Sequence, residues 1–175
     1  MLPTLEPRPD EAALVRSAQR GDRAAFGALY EQYERMVHGV LLAYVPFHDA
    51  EDLMQDVFVK ALERLDSLRE AGAFGGWLMA VARRTATDFL RGRRPVAGIE
   101  SIAVRSTRPD SEAFEILGVI QRLPESYRET LILRLVEGMT GPEIAARTGL
   151  TADSVRVNLC RGMKLLRESL EVKKI

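Results

Sequence analysis

The chain has few of the residues that build metal sites and disulfides. It contains one cysteine, Cys160, and two histidines, His38 and His48, among 175 residues. A single cysteine cannot form a disulfide within the chain, and such scarcity suits a reducing compartment. Because Cys160 is far from both histidines in the sequence, we expect no His/Cys metal site.

Signals for catalysis and for membrane insertion are also missing. The sequence has no glycine-rich phosphate loop and no nucleophile elbow, so we expect no catalytic residues, no cofactor and no small-molecule substrate. The N-terminal stretch "MLPTLEPRPDEAALV" has several acidic residues and no apolar core, which argues against a signal peptide. No apolar run approaches the ~20 residues that span a bilayer. We therefore expect a cytoplasmic protein that is not an enzyme.

Neither sign of charge dominates, and strand-like alternation is almost absent. With 25 basic and 25 acidic residues, the partners must be inferred from where the charges lie along the chain. Apolar residues instead recur at the helical period, which predicts an all-α fold. The predicted helices cover residues 10–20, 22–44, 49–65, 74–91, 111–122, 124–138, 140–149 and 151–170.

The third of these helices has a predicted start and a predicted buried stripe. Asp49 is the expected N-cap residue, with Asp52 three positions later as in a capping box. The expected core positions are Leu53, Val57, Ala61 and Leu65, widened by Met54, Phe58 and Leu62.

One segment interrupts the helical pattern and divides the chain. The stretch "RGRRPVAGIESIAVRSTRPDSE" has two glycines, two prolines, several arginines and no helical stripe, which is typical of a flexible basic linker. We therefore predict two small helical domains, 1–92 and 111–175, joined by a linker over 93–110. Such a linker permits both a compact and an open arrangement of the domains.

The last two predicted helices have the pattern of a helix-turn-helix. Thr140 and Glu143 form a capping box for the first helix, and Gly149 permits the turn before Thr151. The longer helix is apolar on one side and mostly basic on the other. Because Arg and Asn reach base edges and Lys and Arg hold phosphates, that side indicates a DNA recognition helix. The simpler alternative is a solvated face of a small helix bundle.

The sequence resembles the extracytoplasmic-function (ECF) sigma factors of bacterial RNA polymerase in four segments. The stretch "LPESYRETLILRLVEGMTGPEIAARTGLTADSVRVNLCRGMKLLRESL" resembles their DNA-binding region four. Region two is represented by "GDRAAFGALYEQYERMVHGVLL", its opening helix, and by "DAEDLMQDVFVKALERLD", the segment that binds the polymerase clamp. The stretch "AFGGWLMAVARRTATDFLRGRRP" resembles the segment that melts and reads the promoter −10 element.

The resemblance implies a protein-binding role for the third helix. Asp52, Gln55 and Asp56 lie on one face, away from the apolar stripe. In the family this face binds core RNA polymerase at the clamp coiled coil of the largest subunit. The flap region of the polymerase is a further contact of these sigma factors. The alternative is an ordinary acidic helix start favoured by the helix dipole, which accounts less well for Gln55 and Asp56.

The resemblance also implies two DNA-binding sets. For the −10 element the residues are Arg83, Arg84, Thr87, Asp88 and Arg91. Trp77 in the same segment is either a stacking platform for a base or a core residue, and its spacing favours the core. For the −35 element they are Arg156, Val157, Asn158, Cys160, Arg161 and Lys164. Val157, Asn158 and Cys160 depart from the residue types common in the family.

We therefore expect an ECF sigma factor that binds core RNA polymerase and promoter DNA and is controlled by an anti-sigma factor. Two alternatives stay open at this point. One is a stand-alone helix-turn-helix transcription regulator, which needs a dimer interface or effector domain in its N-terminal half. The other is a protein-interaction bundle that does not bind DNA, which leaves the arginine-rich faces without a partner.

Overall fold

The computed structural model describes residues 10–92 and 111–172, which form eight α-helices and two short 3₁₀ turns, with no strand in these two ranges. The all-α prediction is confirmed, and the predicted linker 93–110 lies outside the described residues. The helices are α1 (Glu11–Gln19), α2 (Arg23–Leu42), α3 (Phe47–Arg64), α4 (Phe74–Gly92), α5 (Ser111–Ile120), α6 (Glu125–Leu135), α7 (Gly141–Thr148) and α8 (Ala152–Val172); the 3₁₀ turns are Leu65–Ser67 and Ala71–Ala73.

The first unit is built around α2, which packs against α1, α3 and α4. Its apolar residues recur every three or four positions, so one side of the helix is continuously buried. The wholly buried residues of this side include Leu29, Tyr33, Val37 and Val40. Phe74 at the start of α4 meets the Tyr33 ring edge-on, with centroids 5.1 Å apart. This core fixes α3 and α4 side by side.

In the second unit α8 packs against α5, α6 and α7. Leu131 of α6, Ile144 of α7 and Val155 of α8 are buried between the helices. Gly162 lets α8 cross α6 closely, because a Cβ at this position would lie 3.0 Å from Leu131 Cδ1 and 3.2 Å from Tyr127 Cβ. The close crossing determines which side of α8 points outward.

The predicted start of α7 is confirmed, and the predicted start of α3 is wrong. Thr140 and Glu143 form the reciprocal capping box, and Gly149 ends α7 with φ 75°. The third helix begins at Phe47, two residues before Asp49, with Pro46 as its N-cap. Because proline has no backbone N–H of its own, Pro46 leaves one donor fewer to satisfy at this helix start, where no side chain caps the helix. Asp49 lies in the first turn, where the helix dipole favours a carboxylate.

The two units pack against each other, so of the two arrangements that the linker permits, the structure has the compact one. Gln121 of the second unit donates its side-chain amide to the carbonyls of Leu42, at 2.8 Å, and Val45, at 3.1 Å. Helix α4 also contacts α7 so closely that a Cβ at Gly75 would lie 2.0 Å from the carbonyl oxygen of Arg147. Only glycine fits at this contact.

Candidate functional surfaces

The outer side of α3 carries acidic and apolar side chains together. The predicted residues Asp52, Gln55 and Asp56 are all exposed and lie on one face. Val59 and Leu62 continue that face by two further turns and are 55% and 53% exposed. We call these five residues the α3 surface. Large exposed apolar side chains beside acidic groups suit a protein partner rather than DNA.

Leu62 corrects one sequence prediction and extends another. It was expected to widen the buried stripe of α3, and the structure places it on the exposed side instead. Its position three residues after Val59 and seven after Gln55 is the signal that groups it with the polar face. An apolar residue at this spacing from polar ones is easily assigned to the core, because hydrophobicity alone does not distinguish a core from an interface.

The five residues predicted on α4 do not share one environment. Arg84, Asp88 and Arg91 are exposed, and Asp88 lies 3.8 Å from the nearest nitrogen of each arginine. We call these three the α4 outer face. Thr87 is partly buried, and its hydroxyl donates to the backbone carbonyls of Arg83 and Arg84, each at 3.0 Å. Its hydrogen-bonding capacity is therefore used partly within the helix.

A groove of about 310 Å³ lies between α3 and α4 next to the α4 outer face. Lys60 and Arg64 of α3 line it together with Trp77 and Arg84 of α4. We call this the α3–α4 groove. Lys60 and Arg64 were not predicted, although their spacing of four residues places them on one side of α3. Trp77 packs against Phe74, with ring centroids 5.8 Å apart, and it also lines the groove. It therefore belongs both to the edge of the core and to the wall of the groove.

Arg83 faces the second unit instead. Its Nε and Nη2 donate to the two carboxylate oxygens of Glu129 at 2.7 and 2.8 Å, and Tyr44 donates its hydroxyl to the same carboxylate at 2.7 Å. The hydrogen bond to Glu129 holds the pKa of Arg83 above its ordinary value. Burial, and then the bond to Glu129, raise the pKa of Tyr44. Nothing in the sequence singled out Glu129, which lies 46 residues from Arg83.

A second polar contact joins the units at the end of α2. His38 Nδ1 lies 2.6 Å from Glu137 Oε1, and Arg35 donates to the carbonyl oxygen of Glu137. The hydrogen bond to Glu137 raises the pKa of His38, against the opposing effect of partial burial; the charges of Glu137 and Glu51 act in the same direction as the bond. Protonated His38 therefore stabilises the contact between the units.

This pair predicts a pH-dependent stability. Because the pKa of His38 is raised in the folded chain, its contribution is fully present below the ordinary value of 6.5 and is lost as the pH rises through the folded-state pKa. We expect His38→Gln to cost more free energy of unfolding at about pH 6 than at about pH 8.5. Urea titrations at both pH values measure this. The control is His48→Gln, whose side chain is exposed, and an equal cost of His38→Gln at both pH values would contradict the prediction.

The helix-turn-helix presents one side of α8 to solvent. Arg156, Val157, Cys160, Arg161 and Lys164 are all exposed, and we call them the α8 outer face. Arg156 lies 3.3 Å from Asp153, and Lys164 lies 3.9 Å from Glu168. Such exposed ion pairs are weak. The basic side chains can therefore leave these carboxylates for a stronger anion. The predicted residue Asn158 is partly buried, with Nδ2 3.5 Å from the Thr130 hydroxyl of α6, so it is turned away from this face.

Metal-binding clusters and membrane-spanning helices are both absent from the described part of the chain. Among residues 10–92 and 111–172 there is no cluster of three or more His, Cys, Asp or Glu side chains that could hold a metal ion. Over the same residues, every helix is too short or too polar to cross a membrane.

Two family models match this chain in the order of its two units. Residues 29–96 match Sigma-70 region 2, and residues 113–166 match Sigma-70, region 4. Relatives matched along most of their length point to the same family. The chain is 31% identical to the ECF RNA polymerase sigma-E factor of Escherichia coli (strain K12), and the match covers 89% of this chain and 92% of that protein. The sigma-E factor of Haemophilus influenzae is 29% identical, with 92% and 95% covered.

Solved structures show the same fold. CnrH, in complex with the cytosolic domain of CnrY, superposes with a TM-score of 0.63 at 26% identity, covering 93% of this chain and 97% of CnrH. The sigma factor RpoE of Bartonella quintana, in complex with the anti-sigma factor NepR, gives a TM-score of 0.56 at 22% identity, covering 84% and 97%.

These matches define the class of the protein. The chain belongs to the sigma-70 family, and within that family it is an ECF RNA polymerase sigma factor. Family membership decides against the two alternatives, the stand-alone helix-turn-helix regulator and the interaction bundle that does not bind DNA.

Proposed function

We propose that this chain binds core RNA polymerase and directs it to a set of promoters by reading their −10 and −35 elements. The observation that carries the proposal is the presence on one chain of a region 2 unit with an exposed acidic and apolar α3 surface and a region 4 unit with an exposed basic helix-turn-helix. The chain itself catalyses nothing, because RNA synthesis belongs to the polymerase. It acts in the cytoplasm, and it needs no cofactor or small-molecule substrate.

The α3 surface is the proposed contact with the clamp coiled coil of the largest polymerase subunit. Asp52 and Asp56 supply negative charge for a basic partner, while Val59 and Leu62 supply the apolar area that a stable interface buries at its centre. A second contact, to the flap region, is assigned to a groove of about 410 Å³ between α5 and α8. Its apolar lining consists of Val119, Leu123, Leu165 and Val172.

The −10 element is assigned to α4. In this proposal Arg83, Arg84, Thr87, Asp88 and Arg91 contact the opened DNA, with Arg84 and Arg91 already exposed to it. The α3–α4 groove adds the cations of Lys60 and Arg64 beside the indole of Trp77. Positive charge along a groove with an aromatic side chain is the combination that holds single-stranded DNA.

The −35 element is assigned to the α8 outer face in the major groove. Arg156 and Arg161 are the proposed base readers, because an arginine fork matches the acceptor pair of guanine. Lys164 is the proposed phosphate contact. Val157 and Cys160 offer an apolar edge that suits a thymine methyl group. Asn158, which is partly buried against α6, contributes least.

An anti-sigma factor is the proposed regulator. The Bartonella quintana relative is seen in complex with an anti-sigma factor, and we extend this kind of partner to the present chain.

The first experiment is co-purification with core RNA polymerase, followed by transcription from a pooled library of genomic promoter fragments. The expected result is a stable complex that initiates at discrete sites sharing two sequence elements. A chain that shifts DNA but ignores core polymerase would contradict the proposal.

The −35 assignment gives a specific prediction. Arg161→Ala should weaken binding of the holoenzyme to its −35 element by about 1–3 kcal/mol, the cost of one good bidentate base contact. Core binding should be unchanged, because Arg161 is on the opposite unit from the α3 surface. Arg167→Ala, another exposed arginine of α8, is the matched control and should have a smaller effect. Equal loss of core binding and of −35 binding would refute the placement of α8.

A further inference from the structure

Ser67 connects the α3–α4 groove to the turn that follows α3. Among the described residues that line this groove, it is the one that belongs to neither α3 nor α4. Its side chain is exposed, and the hydroxyl donates to the carbonyl oxygen of Arg64 at 2.6 Å. The position of the 3₁₀ turn 65–67 therefore determines the shape of part of the groove wall.

The backbone on both sides of Ser67 is held by a residue of α1. The side-chain amide nitrogen of Gln19 donates to the carbonyl oxygen of Leu65 at 3.0 Å and to that of Leu68 at 2.8 Å. A side-chain amide has two N–H donors, and both are used here. The accepting carbonyls come from the residues on either side of Asp66 and Ser67. This pair of hydrogen bonds therefore fixes the direction of the backbone that carries Ser67.

The apolar contacts of the segment between α3 and α4 fix its depth rather than its direction. Leu65 and Leu68 are 2% and 8% exposed, so their side chains hold the segment on the core. Residues 71–73 are Ala-Gly-Ala, and nothing lies within 4 Å of a Cβ placed on Gly72. Side chains this small bury little apolar area and hold a backbone loosely. The direction of the carbonyls then depends on hydrogen bonds, of which Gln19 provides two.

We propose that Gln19 is a positioning residue for the −10 element: its two hydrogen bonds hold the turn that carries Ser67 and so fix the shape in which the α3–α4 groove receives single-stranded DNA. This inference rests on the proposed −10 role of the groove. Gln19 acts through the turn and not by contact with DNA. A groove whose supporting residues are loose accepts matched and mismatched strands alike. Loss of the two bonds should therefore lower the discrimination among −10 sequences and leave core binding and −35 discrimination unchanged.

The first test asks whether Gln19 holds the turn in the free, full-length chain. Gln19→Glu keeps the shape of the side chain, but at about pH 8 the ionised carboxylate has no donor and meets two carbonyl oxygens. We expect amide hydrogen exchange over residues 65–73, measured by mass spectrometry, to accelerate by at least about tenfold. The control is Ala13→Glu, which adds the same charge at an exposed position of α1 and should leave this exchange unchanged.

The second test asks whether the turn determines −10 discrimination. The holoenzyme of each variant transcribes two libraries of one promoter, one randomised at the −10 element and the other at the −35 element. Relative to Ala13→Glu, the preference of Gln19→Glu for matched over mismatched −10 sequences should fall about tenfold, comparable to the cost of one mismatched base pair. Its −35 preference should stay within about twofold, because distant sites act independently. A variant that is merely destabilised would lose transcription from both libraries alike.

Two further variants separate the hydrogen bonds from the charge. Gln19→Met has a similar length and no donor, so it should lose −10 discrimination without any change of charge. Gln19→Lys carries donors on a stem that is longer by one bond, and it should keep −10 discrimination within about threefold of the wild type. Loss in Gln19→Met together with retention in Gln19→Lys supports the hydrogen bonds as the cause. Equal discrimination by these two variants would contradict it.

The outcomes separate this inference from the proposed function. If exchange over residues 65–73 is unchanged in Gln19→Glu, the anchoring of the turn is refuted, and the sigma-factor proposal stands. If exchange accelerates while both libraries give the wild-type preferences, the positioning role is refuted, and that proposal again stands. A wild-type holoenzyme without any −10 preference would overturn the proposed function and this inference together. Faster exchange with a loss confined to the −10 library supports the inference.

Discussion

Reversing the charge of Asp56 should reduce the affinity of this sigma factor for core RNA polymerase about a hundredfold, or close to 3 kcal/mol. Asp56 is exposed in the middle of the α3 surface, between Asp52 and Val59. In the proposed interface, Asp56→Lys replaces an attraction to a basic partner with a repulsion at the point where the apolar side chains have to come into contact. Binding of labelled sigma factor to core polymerase, measured by fluorescence anisotropy, gives the loss directly.

Two controls make this expectation specific. Asp66→Lys introduces the same charge change at an exposed position that follows α3 and lies outside the α3 surface, and it should have little effect. Leu62→Ser should weaken binding too, with less dependence on salt concentration, because it removes apolar area instead of charge. DNA binding by α8 should be the same in all three variants. If Asp56→Lys binds core polymerase as tightly as the wild type does, the α3 surface is not the core-binding surface.

Phe74→Ala should lower the free energy of unfolding of the first unit by about 3–5 kcal/mol. The side chain is fully buried, and it packs between the rings of Tyr33 and Trp77 at the start of α4. Alanine leaves a cavity there, because the surrounding helices can close over it only in part. Trp77 is the only tryptophan of the chain and lies beside the mutated position, so its fluorescence reports unfolding of this unit in urea.

A leucine on the same helix provides the comparison. Leu90 is 41% exposed, and Leu90→Ala should cost less than about 1 kcal/mol because much of the side chain is already in water. Both variants truncate an apolar residue of α4 to alanine, so the difference between them isolates burial. Similar losses for the two variants would mean that Phe74 does not anchor the start of α4.

Features determined by neighbouring residues could be predicted from the sequence. The capping box of Thr140 and Glu143 and the turn at Gly149 are confirmed, because their hydrogen bonds and backbone angles depend on a few adjacent residues. The helical spacing likewise identified Leu53 and Val57 as core residues. The start of α3 was missed because an aspartate with a favourable spacing and a proline three residues earlier both suit a helix start, and local preferences alone do not rank them.

Features that depend on how distant helices meet were not predictable. The five residues assigned to α4 were grouped by helical spacing and by the family resemblance, and the structure separates Arg83 from Arg84 because only Arg83 faces α6. Glu129 gave no signal, since an acidic residue in a helix is ordinary until a partner 46 residues away is known. Leu62 was assigned to the core because the sequence does not state which apolar residues of a helix are exposed.

The glycines at the domain contact place two requirements of the chain in conflict. Alanine stabilises a helix more than glycine does, by about 1 kcal/mol of folding free energy. Both Gly39 and Gly75 lie within helices. At Gly75 the carbonyl oxygen of Arg147 leaves no space for a methyl group, and at Gly39 the end of the Leu133 side chain would have to shift to admit one. The chain therefore has two locally weaker helices at the points where its two units pack closely. Such a conflict between local helix preference and the packing of distant helices is local frustration, which here is the condition for a close contact between the units.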